Sequence, residues 1–179
     1  MIIISEYEER YNEDREVFYI VPQESAEVPL CPICSGTLTI RDSRRRHVIQ
    51  PDESRKCYLL RRLRCKVCRK LHTELPACIQ PRKHYGVVVI EGELDQRRKD
   101  CPAEESTRRR WRNAFRQEKN QIEGALRASW TKAFQKKIPL LHLRESILDG
   151  LISRDSGWLS IVNLLLINAG HGLHTRFAF

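Results

Sequence analysis

Two cysteine pairs decide the fold of this chain: Cys31-Pro-Ile-Cys34 and Cys65-Lys-Val-Cys68. A gap of two residues lets both thiolates of a pair point from one tight turn at a single metal ion. Two such turns supply the four sulfur ligands that a tetrahedral structural zinc ion prefers. The inner cysteines lie 31 positions apart, so we expect a β-hairpin enlarged by a basic loop over Arg41–Lys56. The sequence therefore predicts a zinc ribbon.

Three alternatives to four-cysteine zinc binding stay open. A thioredoxin-like redox site needs only one C-x-x-C pair beside a βαβ pattern, and four ordinary cysteines would need no metal at all. One cysteine could also be replaced as a ligand by His47, His72 or Cys57. Cys78 and Cys101 have no partner at ligand spacing and are interpreted as structural. Because a closed four-cysteine site has no open position for water, the zinc is expected to hold the fold and not to catalyse.

The other segments place this ribbon in an α+β chain, in which a small antiparallel β zinc ribbon is followed by a helical, helix-turn-helix-like region. Residues 1–30 are interpreted as an acidic amino-terminal arm with short strands, and 31–81 as the zinc ribbon. Residues 82–135 are predicted to form the helix-turn-helix-like basic region. Residues 136–179 are expected to hold the carboxyl-terminal helices.

Apolar spacing and end signals predict four helices after the ribbon. Their expected ranges are Lys83–Asp95, Asp100 (as N-cap) to about Phe134, Leu140–Ile152 and Trp158–Ala169. The last two are expected to pack a set of apolar side chains against the basic helix or against a second chain. These side chains are Leu141, Ile147, Leu148, Leu151, Trp158, Ile161, Leu165 and Leu166.

The charge of the chain indicates a polyanionic partner. There are 32 Lys and Arg residues against 23 Asp and Glu, giving a net charge of +9 and a pI near 9.4. Residues 1–30 hold eight acids and two bases, a local charge of −6. Residues 41–70 hold twelve bases and three acids, a local +9, and 97–119 hold nine and four, a local +5. Double-stranded DNA is the expected partner.

The basic stretch 108–116 has two opposed faces. At 100° per residue, one stripe of the predicted helix holds Thr107, Trp111, Phe115 and Ile122, and the opposite one Arg109, Asn113, Arg116 and Asn120. Arginine matches the major-groove edge of guanine and asparagine that of adenine. The expected DNA contacts are Arg108, Arg109, Arg110, Arg112, Asn113 and Arg116, with Arg44, Arg45 and Arg46 of the ribbon as a second group. A solvated helix without a ligand is the alternative.

Targeting signals are not apparent in the sequence. The opening residues run into Glu6 and Glu8 without the basic start and apolar length of a signal peptide. The longest apolar run, Trp158–Ala169, is shorter than the roughly 18 residues of a membrane span. We expect a cytoplasmic protein with reduced thiols and no membrane partner, and a homo-oligomer stays an open alternative.

Several motifs together carry a family resemblance: the first cysteine pair, the run Arg61–Cys68, His72–Pro76, Glu105–Trp111 and the ending His174–Phe179. With them the chain resembles the uncharacterised bacterial DUF6431 proteins, whose amino-terminal half is similar to the zinc-ribbon and helix-turn-helix region of insertion-element transposases. The resemblance implies zinc at Cys31, Cys34, Cys65 and Cys68 and a DNA-contacting helix around Arg108–Arg116. Arg69 stands where the second turn of the family often has glycine, and Arg108 where an apolar residue is common.

The predicted function is non-enzymatic DNA binding related to mobile elements. An RNA-binding or protein-docking zinc ribbon is the first alternative, and a small transposase or nuclease is the second. Two-metal phosphodiester chemistry needs a cluster of carboxylates. The acids after residue 90 do not fall into a convincing strand-end arrangement.

Overall fold

The computed structural model describes residues 1–20, 30–97, 100–134, 145–154 and 156–170. The strands are β1 (Ile2–Ile4), β2 (Glu8–Tyr11), β3 (Val17–Ile20), β4 (Leu38–Ile49), β5 (Arg55–Cys65) and β6 (Leu71–Pro76). The helices are α1 (Val87–Leu94), α2 (Glu105–Phe134), α3 (Ile147–Arg154) and α4 (Trp158–Asn168). The α+β class is confirmed.

The sheet is larger and more mixed than the predicted antiparallel ribbon. Its order is β1-β6-β5-β3-β2, and β4 pairs with β5. The β4–β5, β5–β6 and β2–β3 pairs are antiparallel, whereas β1 pairs with β6 and β3 with β5 in parallel. The amino-terminal strands therefore extend the ribbon hairpin into a six-stranded sheet.

The expected basic loop over Arg41–Lys56 is mostly strand. β4 continues to Ile49 and pairs with β5 from Leu38↔Cys65 to Ile49↔Arg55, so only a short turn remains between the two strands. The register shifts between Ile40 and Asp42, which marks a β-bulge. The predicted enlargement of the hairpin is correct, but hydrogen-bonded strand, and not loop, provides it.

The two faces of β5 serve two separate cores, because successive side chains of a strand point to opposite faces. Tyr58 and Leu60 belong to the main core, together with buried residues of all four helices. Leu63 and Cys65, on the other face, belong to a small cluster with three further buried residues: Ile2, Cys31 and Leu38. The two faces of β5 thus contribute to two different cores.

Helix α2 starts later than predicted. The carbonyl of Glu104 accepts hydrogen bonds from the backbone N–H groups of Thr107 (2.9 Å) and Arg108 (3.0 Å), so Glu104, and not Asp100, occupies the N-cap position. Ala103 is buried in the main core, which holds the chain in a bend before the helix. In the described residues between α1 and α2 there is no third helix, so a helix-turn-helix is not confirmed.

Carboxylates from preceding helices cap α3 and α4. The Glu123 carboxylate accepts hydrogen bonds from the backbone N–H groups of Ile147 (3.0 Å) and Leu148 (2.8 Å). The Glu91 carboxylate accepts those of Gly157 (2.5 Å) and Leu159 (2.9 Å). Negative charge at a helix start satisfies free N–H groups and complements the helix dipole.

The carboxyl-terminal helices pack on the same chain. Leu148, Trp158 and Leu166 are buried in the main core with α2 residues, and Ile147, Leu151 and Leu165 pack against it. Ile161 differs from the prediction, because it is 45% exposed. Leu141 lies outside the described residues. None of the described helices has the length and apolar character needed to cross a membrane.

Candidate metal centre and cationic surface

The four cysteines of the two C-x-x-C motifs come together as the spacing predicts. The Sγ atoms of Cys31, Cys34, Cys65 and Cys68 all lie within 4.8 Å of one another, with 3.7 Å from Cys31 to Cys68 and 3.5 Å from Cys34 to Cys65. Among the described residues, they form the one group of three or more potential ligands at metal-binding distance. All seven cysteines are free of disulfides.

The two cysteine turns have matching backbone geometry. The N–H of Cys31 donates to the carbonyl of Gly36 (2.9 Å), and the N–H of Cys65 donates to that of Lys70 (3.0 Å). Both bonds connect positions i and i+5, and each turn has a left-handed residue directly after its second cysteine: Ser35 (φ 56°) and Arg69 (φ 62°). Equivalent geometry aims the paired sulfurs of both turns at one point.

Close packing holds the two turns against each other. The N–H of Lys66 donates to the carbonyl of Thr37 (3.0 Å). A Cβ atom at Gly36 would stand 2.7 Å from the Val67 side chain and 3.1 Å from the Cys65 Sγ, so a larger residue does not fit there without movement. The absence of a side chain at Gly36 therefore allows the first turn to reach the second.

Local hydrogen bonds favour thiolate at this centre. Burial raises the pKa of Cys65, but hydrogen bonds from the backbone N–H groups of Cys68 and Val67 (3.4 Å each) outweigh it and lower the pKa to about 6. A thiolate is the form of cysteine that binds metal. At Cys68 the hydrogen bond from the Lys70 N–H lowers the pKa of the thiol. Burial and the neighbouring sulfurs raise it by more, so the pKa of Cys68 is raised to about 11.

The spacing of the sulfurs fits a metal ion. A Zn–S bond of about 2.3 Å in a tetrahedron places sulfurs about 3.8 Å apart, close to the 3.5 Å and 3.7 Å of the two cross-turn pairs. The donor set is four cysteine sulfurs and no oxygen, which is the composition of a closed structural site. The centre can therefore hold a metal ion as a fold-stabilising cross-link.

His72 supports the centre without belonging to the sulfur cluster. Its side chain is 3% exposed, and its Nε2 lies 3.4 Å from the Cys31 Sγ. The strand register places it opposite Leu63. His47 and Cys57 face each other across the β4–β5 pair, and neither joins the described cluster. The sequence identified His72 only as a substitute ligand, because its contact with Cys31 depends on the pairing of β6 with β5.

On α2, two of the predicted DNA-contacting arginines are engaged inside the molecule. Arg108 donates to the Glu93 carboxylate at 2.6 Å, and Arg112 binds both Glu93 and Glu105. Glu93 lies on α1 and is buried. These ion pairs connect α1 to the first turns of α2.

The other predicted residues of α2 lie in the open. Arg109, Arg110, Asn113 and Arg116 are exposed, and the first three line an open groove with Glu105 and Ser106. Arg110 donates to the Thr107 hydroxyl at 2.9 Å. Trp111 is buried on the opposite face, edge-on to Tyr85 with ring centroids 5.1 Å apart. The predicted opposition of the two faces is therefore present.

The three arginines of β4 that were predicted to contact DNA have three different surroundings. Arg45 binds the Glu16 carboxylate. Arg46 donates to the backbone carbonyls of Gln80 (2.7 Å) and Lys83. Burial and the neighbouring charge of Arg44 lower the pKa of Arg46 to about 10. Arg44 itself is exposed.

Lys83 joins the two groups of predicted arginines. Its carbonyl accepts from Arg46, and burial and the charge of Arg110 lower the pKa of its ammonium group to about 8. Cations from β4, from the segment before α1 and from α2 therefore lie close together. We give the name helix surface to four exposed arginines of β4 and α2 together with Asn113: Arg44, Arg109, Arg110, Asn113 and Arg116. The sequence did not single out Lys83, since its place depends on the contact of that segment with β4.

Part of the basic charge is neutralised by the acidic arm. The Glu9 carboxylate accepts hydrogen bonds from the Tyr58 hydroxyl (2.8 Å) and from Lys56 (3.2 Å). Glu16 binds Arg45, and the hydrogen bond from Arg45 lowers the pKa of Glu16. The local charges of −6 and +9 in the sequence therefore partly cancel in the folded chain.

Comparison with known proteins gives one match. Residues 31–111 match the family described as a domain of unknown function, DUF6431. The match begins at the first cysteine of the metal centre and ends at Trp111 of α2. No curated protein and no solved structure shows significant similarity to the chain.

Proposed function

We propose that this chain is a non-enzymatic DNA-binding protein, in which a structural zinc ion fixes the two cysteine turns and the helix surface contacts the duplex. The observation that carries the proposal is the meeting of cations from β4 and α2 around Lys83. Like charges held together raise the local potential, and neutralising DNA phosphates with them would release counterions. No internal acid is paired with Arg109, Arg110 or Arg116 among the described ion pairs.

The arrangement of α2 also suits base recognition. Asn113 and Arg116 lie three positions apart on its exposed face, with Arg116 3.5 Å from the Asn113 carbonyl oxygen. Arginine can contact guanine bidentately and asparagine can contact adenine in the major groove. The proposal assigns these two side chains to base reading and Arg44, Arg109 and Arg110 to phosphates.

The zinc ion would be held by Cys31, Cys34, Cys65 and Cys68 and would supply a cross-link between the turns. The small core beside it contains only five buried residues, too few to fix the turns by burial alone. Metal binding would therefore contribute folding free energy to this part of the chain.

The structural roles of the acids favour binding over catalysis. Glu91 and Glu123 cap helices, and Glu93 is ion-paired with Arg108 and Arg112. A nuclease or transposase would need such carboxylates grouped around catalytic metal ions. The relation to mobile elements rests on the sequence resemblance alone.

A double substitution tests the helix surface. Arg109→Gln with Arg110→Gln should weaken duplex binding and reduce the magnitude of the salt slope of affinity by about two, since each phosphate contact contributes about 0.9. The matched control is Arg10→Gln with Arg15→Gln, which changes the net charge equally on the amino-terminal arm. Equal salt slopes for both variants would contradict the proposal.

The same assay separates DNA from RNA. The wild-type protein is titrated with a 20-base-pair duplex and with a structured RNA hairpin of equal charge, at the same salt concentration. Tighter binding to the duplex is expected. A clear preference for the hairpin would instead favour the RNA-binding ribbon.

A further inference from the structure

The second cysteine turn carries a concentration of cations that the helix surface does not include. Between Arg64 and Leu71 there are four exposed basic residues: Arg64, Lys66, Arg69 and Lys70. None of the four takes part in an ion pair among the described residues. We call these four residues the turn surface.

Internal pairing explains most other cations of the basic segment 41–70, which makes the turn surface distinctive. Arg41 and Arg62 form ion pairs with Asp42, and Arg61 forms an ion pair with Glu74. Arg45 and Lys56 are bound by the acidic arm. The excess charge of this segment is therefore left mainly at the turn that connects β5 to β6.

The turn surface is held rigidly by the metal centre. Arg64 lies opposite Thr39 on one side and opposite Leu71 on the other in the strand register. Lys66 and Arg69 lie inside or directly after the Cys65–Cys68 turn, and the Lys70 carbonyl accepts from the Cys65 N–H at 3.0 Å. Cations fixed on a cross-linked turn lose little conformational entropy when they bind an anion.

A series of neighbouring residues connects the turn surface to the helix surface. His72, two positions after Lys70, lies 3.5 Å from the amino group of Met1 through its Nδ1. The pKa of that amino group is lowered by burial and then by the charge of the nearby Arg82. Arg82 directly precedes Lys83, which lies beside Arg110. Burial lowers the pKa of the His72 ring, so the cation that lies between the two surfaces is the exposed Arg82.

The chemistry of the turn surface matches backbone phosphates. Segment 64–71 has no aromatic side chain on which an unpaired base could stack. It offers four cations and two exposed aliphatic side chains, Val67 and Leu71. The aliphatic pair would also suit an acidic protein, but the continuity with the helix surface favours a single extended polyanion.

We infer that the turn surface is a second phosphate-binding site for the same DNA duplex, so that the protein contacts DNA at both the metal centre and α2. This inference rests on the proposed DNA-binding function. It assigns the metal ion a further role, because the ion fixes the turn that presents Lys66 and Lys70.

The test compares three double variants, the quadruple variant that combines the turn and helix substitutions, and the wild type on one 20-base-pair duplex over a range of salt concentrations. Lys66→Gln with Lys70→Gln removes charge from the turn surface, and Arg109→Gln with Arg110→Gln removes it from the helix surface. Arg10→Gln with Arg15→Gln is the control for net charge. Zinc content and thermal melting of each variant verify that the metal centre and fold are intact.

We expect the turn variant to reduce the magnitude of the salt slope by about two, and the turn and helix variants combined to reduce it by about four. If the turn variant has the same slope and affinity as the control while the helix variant is weakened, the turn surface does not contact DNA, and an acidic protein becomes the candidate partner. If the wild type does not bind the duplex, the proposed function itself fails.

Discussion

Two residues of the cysteine turns have a backbone conformation that favours glycine. Ser35 and Arg69 follow the second cysteines of their turns with φ near +60°. The left-handed region costs a residue with a side chain about 1–2 kcal/mol. The chain tolerates this cost because the hydrogen bonds of both turns fix the backbone.

The substitution Arg69→Gly should stabilise the folded protein. Glycine removes the steric cost at φ 62° but gains more freedom in the unfolded chain, so a net gain of about 0.5–1 kcal/mol is expected. Denaturant titration of the metal-loaded protein measures it. Arg69→Ala is the control, since it removes the same charge and keeps the steric cost. An Arg69→Gly variant that is no more stable than Arg69→Ala would contradict the expected net gain.

Sequence spacing predicted the cluster of four cysteine sulfurs but not the partners of the arginines. The C-x-x-C pairs identify Cys31, Cys34, Cys65 and Cys68 because two residues is the gap that a turn requires. The engagement of Arg108 and Arg112 depends on Glu93, which lies on another helix and reaches them only through tertiary packing. A helical wheel shows which face a residue occupies and not which acid lies opposite it.

Helix α2 and the β4–β5 hairpin differ in how well the sequence described them. The opposed faces of α2 follow from its period of 3.6 residues and were predicted correctly. From Arg41 onward the sequence predicts a loop where β4 continues to Ile49, because this run of charged and polar residues has no apolar alternation. Pairing along the whole length of β5 overrides this weak local preference.

The Glu123 cap, which connects α2 to α3, provides a test of how the packed helices are stabilised. Glu123→Ala should destabilise the protein by about 1–3 kcal/mol at neutral pH, because two backbone N–H groups and the Ser146 hydroxyl lose their acceptor. Gln121→Ala, an exposed change on the same helix, is the control and should have a small effect. Chemical denaturation measures both.

The cap should also depend on pH. Burial raises the pKa of Glu123, but hydrogen bonds from Leu148, Ile147 and Ser146 outweigh it, so the folded pKa lies below the ordinary value. Stabilisation by a carboxylate with a lowered pKa is complete above the unfolded pKa and is lost as pH falls through the folded pKa. The stability difference between wild type and Glu123→Ala should therefore shrink below about pH 4.3. A constant difference down to pH 2 would exclude the carboxylate cap.

At the scale of the whole molecule, the sheet separates a large core from a small one. The main core holds all four helices, whereas the small core beside the cysteines holds five buried residues. The cysteine pairs and the apolar spacing predict the α+β class but not the joining of the amino-terminal strands, since parallel pairing of β1 with β6 is a long-range contact.

Metal removal should therefore destabilise the side of the sheet that carries the small core and the cysteine turns. We expect one zinc ion per chain by native mass spectrometry, and loss of amide protection around both cysteine turns in chelator or in Cys65→Ser. Cys101→Ser is the control, because Cys101 lies outside the sulfur cluster. Purified protein without zinc, together with unchanged protection in chelator, would contradict a structural metal site.

The salt dependence of duplex binding by the wild-type protein tests the DNA-binding proposal most directly. The proposal assigns three exposed cations of the helix surface, Arg44, Arg109 and Arg110, to phosphates, so log affinity should fall with log salt concentration with a slope of at least about 2.7 in magnitude, at about 0.9 per phosphate contact. Fluorescence anisotropy with a labelled 20-base-pair duplex measures the slope. Saturable binding with such a slope is the predicted result, and the absence of binding at about 50 mM salt would contradict the proposal.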